Sequence, residues 1–246
     1  MEWRDEGVVI GIRRHGEGSV IVEAMTREHG RHLGLVRGGR GPRLAAALQQ
    51  GNTLGLVWRA RLDEHLGSFA VEPLALRAGR LMQSALALAG VNYLASLVRF
   101  LPERDPHESV YWALTEVAEQ LDEPALAPAQ VARFEARMLA ECGFRLDLGR
   151  CAATGTRDNL AYVSPKSGRA VSAEAGAPWR DRLLPLPAFL REGADPGERP
   201  SGADVADGLR TTGFFVARDL FAARGEALPD SRRAFLAAAA KPRNEL

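Results

Sequence analysis

Between residues 6 and 76 apolar side chains alternate with polar ones in short runs, and glycine-bearing turns separate the runs. This feature constrains the fold most, because period-two alternation in runs of six to ten residues suits half-buried strands. Gly7–Arg14 puts Val8, Ile10 and Ile12 on one face; Ser19–Thr26 and Arg31–Val36 read as second and third strands. The connections His15-Gly-Glu-Gly18 and Arg27-Glu-His-Gly30 suit hairpins. After Gly38-Gly-Arg-Gly-Pro42 comes an Ala-rich helical segment, Arg43–Gln50. Strand character then resumes over Thr53–Leu62, with Leu54, Leu56 and Trp58 on the apolar face, and over Phe69–Leu76. Three strands, a short helix and two more strands is the order of an OB-fold barrel. An SH3-like barrel fits the strands but gives no reason for the helix.

Past Pro73 the period changes to a helical one. Arg80–Leu101, His107–Leu121 and Pro128–Cys142 read as helices, the last closed by Gly143, and helical pattern returns at Leu186–Glu192, Gly202–Arg224 and Ser231–Ala240. The expected class is α+β. An N-terminal OB-fold over residues 1–78 precedes an α-helical domain over 79–246, which carries a Gly- and polar-rich loop region at 147–178. No apolar run reaches the roughly 18 residues that span a bilayer. The N-terminus lacks the order of a signal peptide, and Cys142 and Cys151 are too few for a secreted scaffold, so a cytoplasmic protein is expected.

The net charge of +1 conceals an asymmetry: residues 13–61 hold nine Arg against three Glu. Concentrated positive charge on a neutral chain is the footprint of a polyanion binder. The candidate nucleic-acid contacts are Arg13, Arg14, Arg27, Arg31, Arg37, Arg40, Arg43, Arg59 and Arg61. OB-folds hold single strands across their second and third strands and the adjoining loops. Gly38, Gly39 and Gly41 would let backbone approach a phosphate. The barrel holds few aromatic residues (Trp3, Trp58, Phe69), so phosphate contacts should outweigh base stacking. The acidic Asp63-Glu-His65 loop should stay clear of a nucleic-acid backbone.

Enzymatic signatures are missing: the chain has no phosphate loop, no dinucleotide fingerprint, no nucleophile elbow and no H-E-x-x-H. The five histidines show no i, i+4 pair, and His29 and His32 read as surface polar groups. Glu141 beside Cys142 has no partner base. Positions 151, 154, 172 and 175 have the x2, x17, x2 spacing of a four-cysteine zinc site but are Cys, Thr, Ser and Ala. Hydroxyl and methyl groups cannot replace thiolates, so neither metal nor cofactor is expected.

Several stretches together resemble the bacterial recombinational repair family RecO. They are Asp5–Gly30, the glycine loop Val36–Gly41, F-E-x-R-x-L-x-E-C-G-F at Phe134–Phe144, L-D-L-x-R-C-A-x-T-G at Leu146–Gly155, L-A-Y-V-S-P-K-S-G-R-A-V at Leu160–Val171 and D-G-L-R-x-T-G-F-F at Asp207–Phe215. The similarity covers essentially the whole chain. Many relatives carry four zinc cysteines in the loop region, where this sequence departs. The resemblance implies a non-enzymatic, nucleoid-associated mediator of DNA repair that binds single- and double-stranded DNA and anneals complementary strands. It further implies pairing with RecR, contact with the C-terminal tail of single-stranded DNA-binding protein, and assistance to RecA. Phe134, Arg137 and Met138 are the candidates for the tail, with Phe134 and Met138 as plain core the alternative. A protein-interaction adaptor and an RNA-binding OB protein remain as rival readings of the residues alone.

Overall fold

The computed structural model describes residues 1–195 and 199–241. Its first five strands are β1 (Glu2–His15), β2 (Ser19–Thr26), β3 (Arg31–Val36), β4 (Thr53–Arg59) and β5 (Ser68–Ala75), with helix α1 (Pro42–Ala45) between β3 and β4. They close into a barrel in the order β1-β2-β3-β5-β4, with β4 returning to β1. All pairs are antiparallel except β3 with β5, which meet at one parallel pair, Leu35 and Ser68. The expected OB order is therefore present, and α1 fills the expected gap in shortened form.

Inside the barrel lie Val9, Val20, Val22, Ala24, Val36, Leu54, Leu56, Trp58 and Phe69, all buried. Leu54, Leu56 and Trp58 share the inner face as their alternation required. The first strand departs from expectation, since Val8, Val9 and Ile10 are all buried. A bulge between Val9 and Gly11 shifts the register, so Val9 and Ile12 pack against the barrel core. One extra residue in a strand moves every later side chain to the other face. The opposite face of β1 is covered too, by helices α3 (Ala85–Val98) and α4 (Glu108–Gln120).

Buried Asn52 ties the turn after α1 to the segment beyond β5. Its amide donates to the carbonyls of Ala46 and Ala47, both at 2.9 Å, and its oxygen accepts from the backbone N–H of Arg77 and Ala78. All four hydrogen-bonding sites of the amide are thus used, which offsets the cost of taking a polar group out of water. The long helix expected over Arg80–Leu101 is two: α2 (Ala78–Leu81), then α3, whose Ser84 side chain caps it by accepting from Ala87 N–H.

The chain divides into two compact units, and the division does not fall at the end of the barrel. One holds Met1–Pro124 together with the segment from Pro229; the other is Ala125–Leu228. The returning segment is helix α8 (Asp230–Ala239), which lies on α3. A Cβ on Gly90 would stand 3.3 Å from the Phe235 ring, and Arg232 donates to the Tyr93 hydroxyl.

The second unit pairs α5 (Ala127–Glu141) with α7 (Gly202–Phe215), where the buried Thr212 hydroxyl bonds the Glu135 carboxylate. Between them in sequence lies a small sheet, β7-β6-β8, of β6 (Leu160–Val163), β7 (Ala170–Ser172) and β8 (Leu184–Pro185). The helix α6 (Ala173–Gly176) and a 3-10 helix over Ala177–Arg182 join β7 to β8. Leu186–Glu192 forms only a 3-10 turn at Ala188–Leu190, and the helical run to Arg224 passes through π and 3-10 turns after Phe215.

Candidate nucleic-acid interface

The arginines of the barrel fall into two groups that their spacing does not separate. At one end the β1–β2 hairpin and the β3–α1 loop stand side by side. Arg40 donates its backbone N–H to Gly18 O and its guanidinium to Glu17 O, at 3.3 and 2.6 Å. Strand register puts Arg14 across from Val20, and Val20 across from Val36, so Arg13, Arg14 and Arg37 gather at this end with Arg43 on α1. Among the described residues no ion pair or hydrogen bond engages Arg13, Arg14, Arg37 or Arg43, and all four are exposed. Glu17 is the one acid within residues 13–18 and 37–43, so the ridge carries strong positive charge.

Five residue steps along β2 and β3 lead to the other end, about 16 Å away at 3.3 Å per step. Here the arginines are neutralised. Arg31 pairs with Glu23 at 2.8 Å and Glu103 at 3.4 Å, while Arg99 takes the other oxygen of Glu23 at 2.8 Å. Arg27 pairs with Glu108 at 3.1 Å and stacks 5.3 Å from the centre of Trp112, whose indole also donates to Glu108. Burial, with the Glu6 carboxylate close by, pushes the Tyr111 hydroxyl up to about 12. Arg59 of β4 is paired too, but not at this end: it forks onto Glu2 at 2.8 and 3.2 Å, and its partner across the sheet, Ser68, meets Leu35 near the ridge. Arg61 is exposed and unengaged among the described residues, in the connection that also carries Asp63 and Glu64.

Two expectations about the glycine loop and histidines are corrected. The backbone N–H groups of Gly39, Arg40 and Gly41 are spent on Val36, Gly18 and Gly38 carbonyls, so they cannot cradle a phosphate. Gly38 is needed for its left-handed turn at φ 66°, and Gly39 because a Cβ there would stand 2.6 Å from Val20 Cγ2. His32 is no surface group: it is 2% exposed, with its ring edge-on to Trp3, Trp58 and Phe69. It can be buried because its Nδ1 bonds Leu33 O at 2.9 Å, and burial lowers its pKa. His29 stacks flat on Trp3 at 4.0 Å and reaches Asp5 at 2.9 Å.

Beside the free ridge, the single β3–β5 pair leaves a groove of about 360 Å³, floored by Leu35, Leu44, Val57 and Val71 and also lined by Arg37 and Arg59. Sequence reasoning did not find it, because it depends on where a parallel pairing stops.

In the second unit Phe134 and Met138 are 1% and 0% exposed and belong to the core; Arg137 alone of that trio reaches the surface. The loop region does not fit zinc. Cys151 is buried, its sulfur 3.2 Å from the Ser172 amide and 3.5 Å from the Ser172 hydroxyl. That hydroxyl in turn accepts from Ala175 N–H and caps α6. Burial opposes ionisation of the thiol, but donation from Thr154 and Ser172 outweighs it and brings the pKa down to about 6. Hydrogen bonds thus link positions where a zinc site has its thiolates. Among the described residues no set of three His, Cys, Asp or Glu is placed to hold a metal ion, and no helix is long and apolar enough to cross a membrane.

The chain matches the family model described as "Recombination protein O N terminal" over residues 1–77 and "Recombination protein O C terminal" over 82–225. It is 60% identical to the DNA repair protein RecO of Methylocella silvestris over 96% of this chain and 95% of that one. It is 54% identical to that of Afipia carboxidovorans over 99% and 98%, and 57% identical to that of Chelativorans sp. over 97% and 95%. With its closed OB barrel and its helical C-terminal part, the chain belongs to the RecO family of DNA repair proteins.

Proposed function

We propose that the protein is a non-enzymatic recombination mediator, which grips DNA phosphates through the ridge of Arg13, Arg14, Arg37 and Arg43. The observation that carries this reading is the set of four exposed, unengaged guanidinium groups at one end of the barrel, on the end of β1, the β3–α1 loop and α1. Arg40 serves the ridge by tying its loops together, and its remaining donors face the same ligand. Arg27, Arg31 and Arg59 hold the fold through ion pairs and contribute little to binding. Such a ridge neutralises phosphates and leaves base edges free, so two complementary strands can approach and pair without chemistry being done.

Within the family resemblance, the protein acts with RecR, meets the tail of single-stranded DNA-binding protein and helps RecA onto coated strands. Arg137, exposed on α5, is the cation offered to that acidic tail. The test is annealing of complementary strands coated with single-stranded DNA-binding protein, alongside DNA affinity as a function of salt. The reading expects annealing by the parent chain and its loss when the ridge arginines become Ala. Retention on single-stranded DNA only through a bound partner would replace it with the adaptor reading.

A further inference from the structure

The barrel offers phosphate contacts but no open aromatic ring, since Trp58 and Phe69 are buried within it and Trp3 is covered by His29. Two indoles elsewhere are exposed, and their surroundings differ. Trp112, 48% exposed, is already occupied: Arg27 lies over it and Glu108 takes its N–H, with Glu6 next to Arg27. Trp179, 57% exposed, stands in the 3-10 helix Ala177–Arg182 of the second unit, and no hydrogen bond engages its indole N–H among the described residues. The Arg182 guanidinium lies over one face of the ring, 5.9 Å from its centre, and Arg180 next to it is 72% exposed, in a loose 3.7 Å surface pair with Asp181 that solvent screens.

The ring stands on a firm base. Gly176, just before the 3-10 helix, lies so close to Tyr162 of β6 that a Cβ would stand 2.4 Å from the ring, and Leu183 N–H closes the turn on Arg180 O. From residue 145 to 182 the sequence has seven basic residues against four acidic ones. An exposed ring with arginines beside it can take a π-face on the ring and a phosphate on the cations, the pairing that holds unpaired bases. Double-stranded DNA keeps its bases stacked and has no free π-face to offer.

We propose that Trp179, with Arg180 and Arg182, is a stacking platform for an unpaired base of single-stranded DNA, separate from the phosphate ridge of the barrel. This rests on the DNA-binding reading above. It adds to the phosphate contacts a preference for single over double strands.

The test uses the full chain, with oligodeoxythymidine and a duplex of equal length as probes. W179A should weaken oligodeoxythymidine binding about tenfold, with duplex affinity and salt slope unchanged. W179F should keep most of the binding, W112A should bind like the parent, and intrinsic fluorescence quenching by oligodeoxythymidine should vanish in W179F. A thermal melt equal to the parent's shows that W179A remains folded; if it melts early, W179F decides by the loss of quenching. The proposal is overturned if W179A binds single strands as the parent does, or loses single strand and duplex alike. It is equally overturned if only binding to a protein partner suffers. A parent chain that binds neither probe would sink the DNA reading itself.

Discussion

The two ends of the barrel both carry arginines and put them to different uses. At the hairpin and glycine loop the arginines reach into solvent; at the β2–β3 turn they are clamped by Glu23, Glu103 and Glu108. A guanidinium already bonded to carboxylates brings little net charge to a phosphate, while one without a partner brings a full unit. The lesson is that a count of arginines overstates a binding surface by the number that are already paired.

The sharpest way to break this comparison is to empty the free end. Changing Arg13, Arg14, Arg37 and Arg43 together to Ala should cost roughly 100- to 1,000-fold in single-strand affinity at low salt and lower the salt slope by about 3. Thermal stability should hardly move, because no bond is lost. An unchanged slope would place the binding surface elsewhere.

The clamped end should give the mirror image. Arg31→Ala breaks a largely buried ion pair to Glu23 and a second one to half-exposed Glu103, and leaves Glu23 to Arg99 alone, so about 1–3 kcal/mol of stability should go. Denaturant melts measure this, and the salt slope of DNA binding should stay with the parent's.

His32 sharpens the contrast through pH. Burial holds its pKa below the usual 6.5, so the folded chain keeps it neutral while the unfolded chain takes up a proton. Stability is therefore full above about 6.5 and falls as pH drops below it, by up to about 1.4 kcal/mol per unit. His32→Gln should flatten that dependence in thermal melts between about pH 7.5 and about 5.5. The smallest effect belongs to Arg27→Ala, which removes only exposed, solvent-screened pairs, so thermal melts should stay close to the parent's and DNA affinity should change by less than about twofold.

Much of the architecture was legible from residues alone. β2 and β3 fall where alternation put them, and α5 lies within a residue of its expected limits, because local period decides such elements. The inner face of β4 followed from Leu54, Leu56 and Trp58 in the same way. The start of β1 at Glu2 was hidden because its first residues are polar and gain strand form by pairing with β4. The bulge at Val9 inverted a face that simple alternation assigned. Which arginines are free was beyond any local reading, since Arg27 and Arg31 meet carboxylates 81 and 72 residues further on. Trp179 carried no signal of its own, because a lone tryptophan in a polar stretch does not tell whether its ring is covered.

The return of α8 to α3 has a consequence for synthesis on the ribosome. The first unit needs Phe235 against Gly90 and Arg232 on Tyr93, yet all of the second unit is translated between them. The barrel strands can pair early, but the apolar side of α3 waits uncovered until the last helix leaves the exit tunnel. A message that stops anywhere between Pro124 and Pro229 therefore yields the arginine ridge on a unit that lacks its final helix. Such a chain leaves the apolar side of α3 without its cover, so the first unit is complete only once α8 has been made.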